Sequence, residues 1–337
     1  MSPARPPEDA NSLPEGQGRR PKGAPLSRFV TLTFNPALDL STTTERVVDT
    51  HKLRCAPAQR HPGGGGINVA RVLHRLGADC VALYPAGGPA GERLRHLLDD
   101  EQVRSRCVPI AAETRESFSV HELASGRDWR FLLPGPALLP AEWQACWDAL
   151  AALAGGGGWL VASGSLPPGA PPDCHARLAQ LARERRWRLA VDTSGPALAA
   201  ALAEGVYLVK PSLRELRELS GQALLAPRDW LAAARGLVHD GRAAVVALSL
   251  GAEGALLVTR EAALRATGLA VHVASTIGAG DSFMAGLLWA MDAGEPPAEA
   301  LRYAIAAGAA ALLAPGTALC QPADVRRLHA QVRVTAL

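Results

Sequence analysis

From Phe29 onward, short runs of β-branched and other apolar residues alternate with stretches in which apolar positions recur every three or four residues. The short runs predict strands at Phe29–Thr33, Val81–Tyr84, Trp159–Ala162, Arg188–Val191, Val206–Val209 and Ala244–Leu248. The helical spacing predicts helices at Ile67–Leu76, Arg93–Glu101, Ala141–Leu153, His175–Arg186, Asp229–His239, Asp281–Met291 and Ala298–Leu312. Strand and helix in alternation are the pattern of an α/β domain, a largely parallel sheet covered on both faces in three layers. Two segments break the rhythm: Asp39–Arg60, and Ser117–Leu133 with its strand-like Ser117–Leu123 and Trp129–Leu133. They are expected to pair as a small antiparallel flap, with lid segments at about 39–60 and 113–134. A flap with one apolar face calls for a partner, so it would act as a lid over a site, as a contact between two copies of the chain, or as both. Residues 1–27, rich in Pro, Gly and charge and without periodicity, predict a disordered extension, leaving 28–337 as the folded unit.

Composition narrows the classes. The 337 residues suffice for a sizeable core. The net charge is +3, and residues 1–28 carry +2 of it, so the body is close to neutral, which argues against a nucleic-acid partner. The longest apolar runs, such as Tyr303–Pro315, are too short and too rich in Gly and Ala to cross a bilayer, and the N-terminus lacks the apolar core of a signal peptide. A cytoplasmic protein with no membrane association is expected. The six cysteines, Cys55, Cys80, Cys107, Cys146, Cys174 and Cys320, form no C-x-x-C pair, so neither a zinc site nor a disulfide framework is indicated. Of thirty-five basic residues only Lys22, Lys52 and Lys210 are lysine. Lys52 and Lys210 would then mark places that need a compact ammonium, as at a phosphate, where the flat guanidinium fork does not fit.

The chemistry concentrates in Ser275-Thr-Ile-Gly-Ala-Gly-Asp281 and the helix behind it. Gly278, Ala279 and Gly280 fall at the helix mouth, where unpaired N–H groups and the dipole favour an anion. A carboxylate beside a phosphate is explained as a base that takes a proton from an attacking hydroxyl, or, more plainly, as the cap of its helix. Pro62-Gly-Gly-Gly-Gly66-Ile-Asn68 also opens a helix, with bare backbone and a polar side chain at its start, whereas the second glycine run, Gly155–Gly158, reads as a connector. Asp39 follows the first strand and is either a ligand for sugar hydroxyls or a turn aspartate. Ser163–Gly169 and Val191–Gly195 bring small polar groups to the same edge. Lys210-Pro-Ser212-Leu-Arg-Glu215 couples a strand end to a helix, with Glu215 read as a magnesium or water ligand or as a solvated glutamate. Ser249–Gly254 is a turn that receives a nucleotide or simply closes a hairpin. No Gly-Lys pair exists, so there is no P-loop, and no G-x-G-x-x-G follows a strand.

Gly63–Arg71, Ser163–Gly169, Lys210–Glu215, Ser249–Gly254 and Gly278–Asp281, in this order, resemble the ribokinase-like sugar kinases and, within them, the branch of phosphofructokinases and tagatose-6-phosphate kinases. Lys52-Leu-Arg-Cys55, Pro62–Arg71, Pro85–Gly88 and Gly316–Cys320 are most similar to its 6-phosphofructokinase group. The resemblance runs from Val30 to about His329. It implies transfer of phosphate from ATP, with Mg2+, to the 1-hydroxyl of fructose 6-phosphate, with Asp281 as base and the Gly278, Ala279 and Gly280 amides stabilising the transferring group. It also implies Asp39, Gly64, Gly65, Asn68, Arg115 and Ser165 at the sugar phosphate. Lys52, Lys210, Ser212, Ser249, Gly251, Gly254 and Gly308 would serve the nucleotide, and Glu215 Mg2+ through water. K+ would sit at Ser275, Ile277, Ala311, Ala314 and Gly316, held mostly by backbone, and two copies would meet through the lid. The related 1-phosphofructokinase and tagatose-6-phosphate kinase groups carry Gly-Gly-Lys-Gly where this chain has Gly63–Gly66, which favours fructose 6-phosphate over their substrates. Ser212 stands where asparagine is usual, so contacts there are expected to run through water. A non-catalytic sugar-phosphate or nucleotide sensor on the same fold is the alternative from another class, and an intact Asp281 speaks against it.

Overall fold

The computed structural model describes residues 28–49, 51–153 and 157–337; the predicted extension 1–27, Lys22 within it, and Gly155 and Gly156 of the second glycine run lie outside them. The chain opens with β1 (Phe29–Leu32), β2 (Ala37–Thr44), β3 (Gln59–Gly63), α1 (Gly65–Arg75), β4 (Cys80–Ala86), α2 (Gly88–Asp100) and β5 (Ser105–Pro109). It continues through β6 (Arg115–Glu122), β7 (Arg127–Leu132), α3 (Pro140–Ala152), β8 (Gly158–Ser163), α4 (Cys174–Glu184), β9 (Trp187–Asp192), α5 (Gly195–Glu204), β10 (Val206–Val209) and α6 (Leu213–Ser220). It closes with α7 (Pro227–His239), β11 (Ala243–Ser249), β12 (Ala255–Val258), β13 (Ala263–Ala266), α8 (Ala279–Asp292), α9 (Pro297–Leu312), α10 (Pro322–His329) and β14 (Val334–Ala336). Every predicted strand and helix is present.

The central sheet has 10 strands in the order β14-β13-β12-β11-β10-β9-β8-β1-β4-β5. It is parallel from β5 to β11 and antiparallel from β11 to β14. Both faces are buried, so alternate residues of one strand enter two separate cores. Phe29 of β1, Cys80 and Tyr84 of β4 and Trp159 of β8 pack with α1, α2, α8, α9 and α10. Val30 and Leu32, Val81 and Leu83, and Leu160 pack with α3 to α7 on the other face. That two-sided burial is why these strands read as continuous apolar runs. The chain order reverses at β1, which lies between β4 and β8, and the carboxyl ends of β1, β8, β9, β10 and β11 share one edge, the place where open α/β sheets bind ligands.

The lid is a separate four-stranded sheet in the order β3-β2-β6-β7. Its outer pairs are antiparallel, but the central pair, β2 with β6, is parallel, with Ala37 opposite Arg115 and Thr44 opposite Glu122. The expected all-antiparallel flap is therefore corrected to a mixed sheet. The reason lies in the large sheet: β2 follows β1 and β6 follows β5, and these parallel strands release their chains from the same edge in the same direction. Phe118 and Phe131 stand side by side on the lid's outer face, ring centroids 6.3 Å apart. Among the described residues no helix is long and apolar enough to cross a membrane.

Candidate active site

Gly278 holds the N-cap position of α8 with φ 76°, a left-handed conformation natural only to glycine, and any side chain there would strike Leu319. The first intrahelical bond of this turn runs from the Ser282 N–H to the Gly278 carbonyl. The N–H groups of Ala279, Gly280 and Asp281 precede it, and no side chain caps them. Asp281 is the third residue of the helix, and its carboxylate accepts a hydrogen bond from Asn68 Nδ2 of α1 at 2.9 Å. Gly278, not Asp281, holds the N-cap position, and no side-chain cap bond is made there. Burial, with the nearby Asp192 charge, pushes the Asp281 carboxyl up to about 6, against the pull of Asn68 and Lys210.

Lys210, buried at the end of β10, lies 3.0 Å from Asp192 Oδ2 at the end of β9. A methyl group at Gly280 would stand 3.5 Å from its Nζ, so the ammonium borders the helix mouth. Burial disfavours its charge, but Asp192, Asp281 and Glu215 outweigh that and hold its pKa above the ordinary value. A cation and three N–H donors thus converge beside a carboxylate of raised pKa, which suits an anion that must meet a hydroxyl losing its proton.

On the other flank Asp39 of β2 accepts from Thr317 Oγ1 at 3.2 Å. Burial raises its carboxyl, and Arg115 is among the charges that oppose the rise. The first glycine run lets this flank close: a side chain at Gly63 would fall on the Asp39 carboxylate, and one at Gly65 on the Ser163 hydroxyl. Gly64, the N-cap of α1, carries no capping side chain. Arg115, first residue of β6, donates to the carbonyls of Asn35 at 3.0 Å and Leu133 at 3.2 Å. Asn35 Nδ2 in turn reaches Ser165 Oγ at 3.2 Å. Arg115 Nε and Asn35 Oδ1 are buried without a protein partner, an arrangement that leaves polar capacity for a ligand.

The nucleotide flank differs from expectation in one respect. Ser212 and Glu215 form a reciprocal capping box on α6: the Glu215 N–H donates to Ser212 Oγ at 3.2 Å, and the Ser212 N–H to Glu215 Oε2 at 2.8 Å. Glu215 is therefore not the solvated helix glutamate of the plainer reading, and its Oε1 remains outside the box. Ser249 bridges to Ser212, and the turn through Gly251 and Gly254 follows at the end of β11. Gly308 lets α9 pack against the start of α8, where a methyl group would stand 3.3 Å from the Ala279 carbonyl. Ser275 and Ile277 lie beside the Ala311–Gly316 segment, since the Ala274 N–H donates to the Leu312 carbonyl at 2.7 Å and Ser275, Ile277 and Gly316 line one cavity of about 530 Å³. Lys52 is not drawn into this group; it is exposed on the connection between β2 and β3.

The residues match the pfkB family carbohydrate kinase model over 33–324. This chain belongs to the pfkB family of carbohydrate kinases. Its fold is ribokinase-like. Family members similar to it include the ATP-dependent 6-phosphofructokinase isozyme 2 of Mycobacterium tuberculosis, 47% identical over 300 residues, covering 89% of this chain and 88% of the relative. The isozyme 2 of Escherichia coli is 40% identical over 90% of this chain and 99% of its own. Solved structures of that phosphofructokinase-2 superpose with TM-scores of 0.85 to 0.88, and cover 90% of this chain and 99% of theirs. They include complexes with potassium, with fructose 6-phosphate, and with substrates and products, and a tetrameric inhibited form. A 1-phosphofructokinase of Rhodobacter capsulatus is 35% identical over 92% of this chain and 98% of its own.

Four residues of this family member's site escape the sequence reading as individual groups: Asp192, Thr317, Asn35 and Arg71. Asp192 and Asn35 follow strands at the ligand edge, a signal that was available. Thr317 gains Asp39, and Arg71 gains Glu101 and Thr317, only through packing of segments distant in sequence.

Proposed function

We propose that the chain is an ATP-dependent 6-phosphofructokinase, with Asp281 as general base for the 1-hydroxyl of fructose 6-phosphate. The observation that carries this is the Asn68–Asp281 contact at the mouth of α8, with Lys210 alongside. In the step itself Asp281 takes the hydroxyl proton while the sugar oxygen bonds to the γ-phosphorus of ATP. The bond from that phosphorus to the bridging oxygen breaks, releasing ADP. The Gly278, Ala279 and Gly280 amides and Lys210 receive the negative charge of the phosphoryl group in transit, so catalysis is positioning and charge stabilisation. Arg115, whose Nε lacks a protein partner, and Ser165 would bind the sugar's own phosphate, while Asp39, Gly64, Gly65 and Asn68 would receive its hydroxyls, with Asn35 Oδ1 free to accept from one of them. Ser212, Ser249, Gly251 and Gly254 would line the nucleotide side, with Gly308 behind them.

Among the described residues no cluster of three or more His, Cys, Asp or Glu side chains could hold a metal alone. Magnesium keeps several waters and takes most remaining ligands from phosphates; Glu215 Oε1, which lies 3.5 Å from Arg214 Nη2, would be the protein's contribution. Bound there, the ion would neutralise phosphate charge. Ser275, Ile277 and Gly316 share one cavity, and their carbonyl oxygens, with those of Ala311 and Ala314, would hold a potassium ion. Six free thiols suit a cytoplasmic setting. The apolar outer face of the lid, Phe118, Trp129 and Phe131, supports a homodimer formed there.

Gly65 bears on the choice of sugar. Any side chain at that position would meet Ser163 and the Gly164 backbone, so the lysine of the 1-phosphofructokinase pattern has no room. ADP release from magnesium ATP with potassium, measured separately with fructose 6-phosphate, fructose 1-phosphate and tagatose 6-phosphate, tests this. The highest kcat/KM is expected with fructose 6-phosphate. A preference for another sugar phosphate keeps the kinase and overturns its substrate, and no turnover with any of them favours a sensor.

A further inference from the structure

Arg71, on α1 one turn beyond Asn68, is fully buried, yet its guanidinium has an oxygen partner on each nitrogen. Nε donates to both oxygens of Glu101 at 3.0 Å, and Nη2 reaches Glu101 Oε1 at 2.6 Å. Nη1 points the other way, toward the carbonyl of Pro62 at 3.1 Å, Asn68 Oδ1 at 3.3 Å and the carbonyl of Thr317 at 3.0 Å. Glu101 is braced in turn by Arg75, Nη2 to Oε2 at 3.0 Å. Arg75 also donates to the carbonyls of Ala318 at 2.6 Å and Cys320 at 3.2 Å, so the pair of arginines pins the segment that carries Thr317.

Two of the Nη1 contacts are arms that lead on to carboxylates of the site, Asp281 and Asp39. An asparagine amide can face either way, and its orientation is set by its neighbours. With Arg71 donating to Oδ1, the NH2 of Asn68 must face Asp281; the inverted amide would set NH2 against the guanidinium and oxygen against the carboxylate. On the second arm, Arg71 holds the Thr317 carbonyl while the Thr317 hydroxyl donates to Asp39. A lysine could not do this, because one compact ammonium cannot grip Glu101 with two bonds and reach these oxygens on its far side.

We propose that Arg71, clamped by Glu101, is a positioning residue that locks the Asn68 amide toward Asp281 and the Thr317 hydroxyl toward Asp39. It touches neither substrate. This rests on the reading of Asp281 as the base, and the experiment separates the two. Steady-state kinetics with fructose 6-phosphate are measured for Arg71→Met, Arg71→Lys, Asn68→Ala, Glu101→Gln, Asp281→Asn and the double variants Arg71→Met/Asn68→Ala and Glu101→Gln/Asn68→Ala, with folding checked by thermal melting. Arg71→Met is expected to lower kcat roughly 10- to 100-fold, the size of coupling within one hydrogen-bonded network, with the KM for ATP changed less than about twofold. Arg71→Lys should not restore turnover. Each double variant should turn over no more slowly than its slower single variant. If Arg71→Met fails to fold, the Glu101→Gln and Asn68→Ala cycle decides alone. Folded Arg71→Met with normal kcat, full rescue by lysine, or effects that multiply in the double variants overturn the inference. Near-normal turnover of Asp281→Asn instead overturns the base itself.

Discussion

The floor of the site and its lid are built on opposite terms. On the floor the buried ionic side chains are paired within the chain, and Asn68 with them: Asn68 on Asp281, Lys210 on Asp192, Arg71 on Glu101. Lys210 is only 6% exposed there. In the lid, Trp129 is 38% and Phe131 53% exposed, on a face that the described residues leave open. Burying an ionic group is costly unless it is paired, so the floor can hold its charges only in one arrangement. An apolar face carries no such constraint and is left for another surface to satisfy. On the proposed function the phosphoryl-transfer groups would stand at the edge of the large sheet, and the outer face of the lid would be left for a second copy.

The largest expected effect lies on the floor. Asp281→Asn should lower kcat roughly 10²- to 10⁴-fold, the range for removing a general base, measured by ADP release. The same variant should melt higher than the parent at pH 8. With its carboxyl raised from 3.8 to about 6 in the folded state, Asp281 binds its proton more tightly there than when unfolded. It therefore subtracts stability at pH values above both, and this loss is recovered as pH falls from about 6 toward 4. For the parent enzyme, turnover should decline on the acid side of about pH 6 as the base is protonated. A melting temperature that falls in Asp281→Asn would contradict the burial argument even if activity were lost.

Next comes the junction of floor and lid. Arg115→Ala should raise the KM for fructose 6-phosphate roughly 10- to 100-fold, with a smaller change in kcat, as expected when a charged hydrogen-bond donor is lost from a phosphate. An unchanged KM would remove Arg115 from the substrate site. Gly66→Ala probes the floor's tightness, since a methyl group there would stand 2.5 Å from the Leu32 carbonyl. It is expected to cost about 1–3 kcal/mol of stability, read in a denaturant titration. The smallest effect on turnover per molecule should come from Phe131→Asp, which ought to shift the protein toward monomer in sedimentation without lowering the melting temperature of the monomer. If that variant stays associated, the apolar face of the lid is not where copies meet.

What the sequence discloses follows the same division. The strands of the large sheet and the amphipathic helices are legible because each is written in one local period. α5 escapes because Gly195-Pro-Ala-Leu-Ala-Ala-Ala-Leu-Ala-Glu204 has no polar stripe to set a period, and β5 because Ser105-Arg-Cys-Val-Pro109 is a polar edge strand. The Ser-x-x-Glu spacing of 212 and 215 could have announced the capping box, but the acid beside a lysine invited a ligand reading first. Asp281 and the helix mouth are legible from seven consecutive residues. The partners that distinguish a base from a cap are not, since Asn68 lies 213 positions away. Nor was the parallel pairing of β2 and β6 readable, because strand direction in the lid is inherited from the other sheet.

That inheritance has a mechanical side. Each strand of the lid begins or ends on the floor, and two of these attachments carry a polar contact: Asp39, two residues into β2, with Thr317, and Arg115, opening β6, with the carbonyls of Asn35 and of Leu133 just past β7. The lid is thus hung on four tethers, and on the proposed function their roots would be the sugar-phosphate flank itself. A tilt imposed on the lid's outer surface would then be delivered at those roots, so grip on the sugar phosphate and association through the lid would be two readings of a single displacement.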